Sequence, residues 1–324
     1  MANHAFKYHC DSIAVDQSPG VTKSYALGLS TLDGNIWNGC VKIMSLPEGN
    51  ELASREFNCG IPIVRYHNSN TFILAGRDDG NISILSSDDL DELQVIPAHD
   101  DIVTTISGNK FNSQFASASF DGYIKIWDIL ADGSYTLACI FSGHTGHVTD
   151  ICYSNRNQYE LCSTGQDGFV RLWDQRQSRD CIGLISIGQP GSAILWDPHS
   201  DSNVVAGTDS GTLYFIKFEV LSKSSTGINQ YKESNTTVSN NRNGRIRRII
   251  GNIDKENIFM IASDDTYISV LERKLVDEAI VIEVKEDDIT KHTDYVTDIA
   301  WVDHEKYLVS SSTDKTVGLT LIKL

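Results

Sequence analysis

Short runs of alternating apolar and polar residues cover most of the chain, and Gly, Asn or Asp punctuates nearly all of them. The stretch from Phe115 to Ile129 shows the pattern: FASASF, then the turn DG, then YIKIWDI. Alternation with period two, bounded by turn residues, predicts half-buried antiparallel strands joined by tight hairpins. No segment sustains an apolar period of 3.6, so helix should be scarce.

The pattern also repeats. HDDIVTTISGNKFNSQFASASFDGYIKIWDI begins at His99, HTGHVTDICYSNRNQYELCSTGQDGFVRLWDQR at His144, and HTDYVTDIAWVDHEKYLVSSSTDKTVGLTLIK at His292. In these copies the His-to-turn-Asp separations, His99 to Asp121, His144 to Asp167 and His292 to Asp314, are 22, 23 and 22 residues. Weaker copies include VRYHNSNTFILAGRDDGNISIL, AILWDPHSDSNVVAGTDSGTLYFI and RRIIGNIDKENIFMIASDDTYISVL, and DSIAVDQSPGVTKSYALGLS followed by CVKIMSL makes the first. That gives seven units. A repeat near 40–45 residues suits one propeller blade of four strands.

Trp127–Asp128, Trp173–Asp174 and Gly143–His144 supply the WD and GH signatures, so the chain resembles the WD-repeat family. The resemblance implies an all-β, seven-bladed β-propeller, with blades near 10–58, 61–96, 99–140, 144–187, 190–220, 244–283 and 292–324. The third strand of the last blade runs almost to Leu324, so residues 1–9 are expected to supply its outer strand and close the ring. The polar, Ser- and Asn-rich stretch 220–243 lacks periodicity and reads as a flexible inserted loop.

His144, Ser163 and Asp167 invite a hydrolase reading, since Ser, His and Asp form nucleophilic triads. His99, Ser117 and Asp121 repeat the set, and so do His292, Ser310 and Asp314. A catalytic constellation occurs once; a structural one recurs with the repeat. These residues, with Trp127 and Trp173, are expected to form the family's hydrogen-bonded blade network. Thr320 stands where blade seven should carry its Trp, so that network should be truncated. His144 and His147 lack a third ligand, so no metal site is expected, and the DG pairs are hairpin turns rather than phosphate loops. No unrepeated cluster of ionisable residues that could line the central channel stands out, so no enzyme is expected.

The formal net charge is −16, from 43 acidic and 27 basic side chains. Such a surface repels nucleic acid phosphates and attracts basic partners. NRNGRIRR, Asn241 to Arg248, is a local basic exception. Seven cysteines without a CxxC pair suit a reducing compartment, and no secretory signal or membrane span is read.

Trp37 breaks the repeat. Gly122 and Gly168 precede Trp127 and Trp173 by five residues, whereas Gly34 precedes Trp37 by three. Met44 therefore takes the blade-tryptophan slot, and Asp33 to Gly39 reads as a long rim loop with Trp37 either folded onto its own blade or offered to a partner. LGLSTLDGNIWNGCVKIMSL, AHDDIVTTIS, KIWDI, RLWDQR and HTDYVTDIAWV are similar, in order, to the methylosome WD-repeat subunits. That resemblance implies a non-catalytic adaptor of the type II arginine methyltransferase, in a complex of four catalytic and four propeller subunits. Trp37, flanked by Asn35, Ile36 and Asn38, would enter the partner. S-adenosylmethionine would bind the partner only. Substrates would be Arg-rich proteins, histones H2A and H4 and spliceosomal Sm-type proteins, met in cytoplasm and nucleus. The alternative is a substrate receptor of a cullin-type ubiquitin ligase, from the WDxR pattern at Trp173–Arg176.

Overall fold

The computed structural model describes the chain except residues 1–3, 17–23, 34–35, 68–70, 131–133, 178–180, 201, 224–228, 241–243, 253, 277–278, 287–291, 303–306 and 323–324. Strands and turns, with no helix, make up the described residues. The strands pair into seven four-stranded antiparallel sheets. Six sheets are consecutive meanders; the seventh takes its outer strand, His4–Ala5, from the start of the chain, pairing His4 with Val317 and Ala5 with Thr316.

The innermost strands, His9–Val15, Ile63–Tyr66, Val103–Gly108, Val148–Tyr153, Gly191–Trp196, Ile246–Gly251 and Val296–Val302, each meet the next, and the last meets the first. Apolar clusters lie between neighbouring blades rather than within them. One joins Tyr8, Cys10, Ile13 and Leu27 of blade one to Val302, Val309 and Val317 of blade seven. A twisted sheet with apolar residues on both faces is buried only when neighbours flank both sides, so the ring must close.

Polar stitches reinforce these seams. Bulges in the inner strands of blades three, four and seven put Thr104, Thr149 and Thr297 against the next blade. Their hydroxyls donate to the carbonyls of Val148 at 2.8 Å, Gly191 at 2.7 Å and Cys10 at 2.5 Å. The neighbouring aspartates do the converse: Asp150 accepts the amide of Ile194 at 2.9 Å, and Asp298 accepts that of Ile13 at 3.1 Å. The repeated string VTDI is thus an inter-blade stitch.

The stretch 220–243 departs from its expected form as a flexible loop. Thr212–Lys223 and Asn229–Asn240 form a long hairpin, and the second is the outer strand of blade five. An outer strand needs only backbone pairing on one edge, so a polar sequence without alternation can supply it.

Asp298 also holds the Ser12 hydroxyl and the Arg65 guanidinium, each at 3.1 Å. Removing one partner of a buried ion pair typically costs about 3–5 kcal/mol. Asp298→Ala should lower the urea midpoint by a corresponding amount, while Thr313→Ala, at an exposed hydroxyl, should shift it little.

Candidate interaction surface

Three blades carry a hydrogen-bonded relay. In blade three His99 Nδ1 lies 2.8 Å from Asp121 and Nε2 lies 2.8 Å from Ser117 Oγ, which accepts Trp127 Nε1–H at 2.9 Å. Blade four repeats it: His144 to Asp167 at 2.9 Å and to Ser163 at 2.8 Å, with Trp173 donating to Ser163 at 2.8 Å. Blade seven has His292 to Asp314 at 3.1 Å and to Ser310 at 2.8 Å, with Thr320 in place of the indole. An ionised Asp only accepts, so in blades three and seven Nδ1 carries the proton and the serine hydroxyl donates to Nε2, while in blade four Arg171 also lies 2.7 Å from His144 Nδ1. Ser117, Ser163 and Ser310 are fully buried, so none can meet a substrate carbonyl. The relay orders the turn instead, since Asp121 also accepts the amides of Asp100 and Tyr123.

Trp37 lies on a strand rather than in a loop. Ser24–Asp33 pairs with Ile36–Ser45 through Leu32–Trp37 and Asp33–Ile36, so the expected long loop is an extended ladder. Only Gly34 and Asn35 separate the strands, and both lie outside the described residues; of Ile36 only the backbone is described. Gly-Asn between two alternating runs is itself a two-residue hairpin signal, and it was the overlooked cue. The base of this hairpin is pinned against blade two. A Cβ at Gly39 would meet the Cys59 carbonyl at 2.3 Å, so only glycine permits that approach, and Ser30 Oγ accepts the Ile61 amide at 2.8 Å. Beyond this anchor Leu32 and Trp37 are direct cross-strand partners on one face, each 52% exposed. Asn38, half-buried, pairs with Thr31. Leu32 had not been singled out as a candidate; hairpin register reveals it.

Residues 90–128, 135–174 and 285–319 match the WD domain, G-beta repeat. The chain is a seven-bladed β-propeller that carries WD repeats at these three stretches. The methylosome protein WDR77 of Xenopus laevis is 24% identical over 294 residues, spanning 87% of this chain and 81% of that protein. A DDB1- and CUL4-associated factor 11 homolog of Caenorhabditis elegans is 26% identical over 131 residues, covering 39% of this chain and 23% of that one. A chain in the crystal structure of the mitotic checkpoint complex superposes with a TM-score of 0.77 at 16% identity, across 100% of this propeller and 91% of that chain.

The channel of this WD-repeat propeller holds charges that sequence reading missed. Arg65, Asp150, Arg248 and Asp298, from the inner strands of blades two, four, six and seven, form one cluster, its two carboxylates being the aspartates of the VTDI strings. Arg65 to Asp298 is 3.1 Å, Arg248 to Asp298 3.5 Å and Arg248 to Asp150 3.9 Å. Two positive and two negative groups balance, and the carboxylates are further tied to backbone amides. Each sits in a separate repeat, so only the folded ring assembles them. The basic string ends here too: Arg245 pairs with Asp209 at 3.3 Å and Arg247 with Asp264 at 2.5 Å, so the described part of that string is ion-paired within the propeller. Arg176 folds back on Asp174, bonding through Nε at 2.9 Å and Nη2 at 2.5 Å.

Acid stability follows from the relays. Burial opposes charge on Asp121 and Asp167, but the hydrogen bonds from their histidines and from backbone amides hold both carboxyls below the ordinary 3.8. Burial also lowers His144 below its ordinary 6.5, against the pull of Asp167. A carboxyl depressed in the native state stabilises it above the unfolded pKa, and that stability is lost as pH falls. A depressed histidine makes the unfolded chain bind the extra proton, so its contribution declines below about 6.5. The relay's share of the urea midpoint should be level near pH 7–8, decline gently below about pH 6.5 and steeply below about pH 4, superposed on the opposite trend from Asp11, which burial raises to about 7. His144→Gln should flatten the upper decline; an unchanged profile would remove the relay from the account.

Proposed function

We propose that this propeller is a non-catalytic adaptor that binds a type II protein arginine methyltransferase through the Leu32–Trp37 hairpin face. The carrying observation is an exposed apolar pair at the end of a hairpin whose base is fixed against blade two. Aromatic anchors bury about 150–250 Å² each, and a pre-ordered hairpin loses little entropy on docking. The similarity to the methylosome protein WDR77 supports this partner class. In this reading four propellers accompany four catalytic subunits, the partner alone binds S-adenosylmethionine, and the acidic surface gathers Arg-rich substrates such as histones H2A and H4 and Sm-type proteins.

A ubiquitin-ligase receptor is the second reading, favoured by Trp173–Arg176 and by the resemblance to the DDB1- and CUL4-associated factor. Against it, the Arg176 fork is occupied by Asp174 and its face lies over the Tyr159 ring at 4.6 Å. Affinity capture of the tagged chain decides between the two readings, because a methyltransferase or a ligase adaptor should copurify, not both.

Truncating a central aromatic anchor costs at least about 2 kcal/mol of binding, more than tenfold in affinity. Trp37→Ala should show that loss with an unchanged melting temperature, and Leu32→Ala a smaller loss of the same kind. Trp127→Ala removes a buried indole and should instead destabilise the fold by about 3–5 kcal/mol. Early melting of Trp37→Ala with unaltered affinity would make Trp37 part of its own blade's packing. Histone binding should weaken steeply between low and physiological salt, where the screening length shrinks to about 8 Å; salt-independent binding would remove charge attraction from the mechanism.

A further inference from the structure

Cys152 and Cys162 face each other on the two inner strands of blade four, Val148–Tyr153 and Glu160–Gly165, as direct register partners. Opposed residues of an antiparallel ladder have Cα atoms about 4.5–5.5 Å apart, inside the ~4.4–6.8 Å that a disulfide spans. Their side chains share one face of the sheet. Cys162 Sγ–H donates to the Cys152 carbonyl at 3.4 Å, and the Trp196 amide donates to Cys152 Sγ at 3.5 Å. Cys162 is fully buried, whereas Cys152 keeps partial exposure.

The surroundings make the two thiols unequal. The hydrogen bond from Cys162 lowers Cys152; burial opposes it, and the Trp196 amide and the Arg248 charge pull the same way as Cys162 despite Asp150. Burial pushes Cys162 up instead. Cys40 and Cys59 are pushed by burial to about 11, and Cys10 is raised further. A partly exposed thiol with hydrogen-bond donors and a nearby cation is the kind that reacts as thiolate.

We propose that Cys152 and Cys162 are a hydroperoxide-sensitive thiol pair that closes to a cross-strand disulfide. The Cys152 thiolate attacks one peroxide oxygen; the S–O bond forms, the O–O bond breaks, and hydroxide or alkoxide leaves and takes up a proton. Cys152 is oxidised to the sulfenic acid as the peroxide is reduced by two electrons. Cys162 then attacks the Cys152 sulfur, the S–S bond forms, the S–O bond breaks, and water departs with the Cys162 proton. Two thiols and one hydroperoxide thus give one disulfide, one water and one further water or alcohol. The inference is independent of the adaptor reading.

Native full-length protein is treated with hydrogen peroxide, quenched with an alkylating reagent and digested with trypsin without reduction. Arg156 lies between the cysteines, so the disulfide joins peptides 126–156 and 157–171, and fragmentation distinguishes Cys152 from Cys139. The expected product is the Cys152–Cys162 link, reversed by dithiothreitol and formed at least about tenfold faster than oxidation of Cys59. Cys162→Ser should accumulate a dimedone-trapped sulfenic acid at Cys152, and Cys152→Ser should leave Cys162 reduced at the same dose. Oxidation of Cys40 or Cys59 as fast as Cys152, or a link through Cys139, overturns the proposal. Mapping of the unmutated protein decides the matter even where a variant fails to fold.

Discussion

Everything in this molecule depends on the seam where blade seven meets blade one. The other sheets are built from chain that is contiguous with them, but the outer strand of blade seven comes from the opposite end of the sequence and, among the described residues, is two residues long, His4–Ala5. So brief a ladder cannot hold a ring against the entropy of opening it. The shared apolar cluster of Tyr8, Cys10 and Ile13 with Val302, Val309 and Val317 supplies most of the attraction. Asp298 gives the seam its register, because one carboxylate oxygen meets Ser12, the Ile13 amide and Arg65 together. A slip of one residue would leave that charge unpaired in the interior.

Inside the blades, one pair of positions explains which carry the relay. The indoles of Trp127 and Trp173 stand diagonal to Ser117 and Ser163, and each indole N–H needs the hydroxyl. In blades one, two, five and six the corresponding third-strand residues are Met44, Leu85, Ile216 and Leu271, each fully or almost fully buried. The second-strand positions opposite the relay serines are there Leu27, Ala75, Ala206 and Ile261. In these four blades the indole and the hydroxyl are both absent and the slot is filled by apolar packing, whereas blade seven lacks the indole but keeps Ser310, held by His292 at 2.8 Å. What the apolar slots could not accept is the indole alone, whose buried N–H would then lack an acceptor.

This division also marks what was legible in the sequence. The alternation, the His-to-Asp spacing and the WD dipeptides made the seven blades and three relays readable, because a repeated pattern is its own control. Arg65, Asp150, Arg248 and Asp298 were not readable as a cluster, since each sits in a separate repeat and only closure brings them into range. Asn229–Asn240 was obscured for a different reason: an outer strand can be polar throughout, so periodicity is silent there. Leu32 was obscured by a misplaced turn, and one correct hairpin register would have paired it with Trp37.

The relay also limits which blades can carry a protruding hairpin, and blade one is among the four that lack it. In blade three the turn Asp121 must reach His99, which fixes the hairpin end just past the Ala118–Ile124 pair. Blade one has Leu27 and Met44 in place of the relay serine and tryptophan, so its turn has no histidine to meet. The equivalent pair, Gly28–Val41, is followed there by continued pairing from Leu29–Cys40 out to Asp33–Ile36. Lengthening a hairpin beyond the ring costs the core nothing, provided its base stays attached, and Gly39 against the Cys59 carbonyl supplies the attachment. Exposed apolar side chains on such an extension add no internal packing and suit the partner contact proposed for this face. Lacking the relay, blade one is free to carry the Leu32–Trp37 face, while the Gly39 contact and the inter-blade stitches hold the platform beneath it.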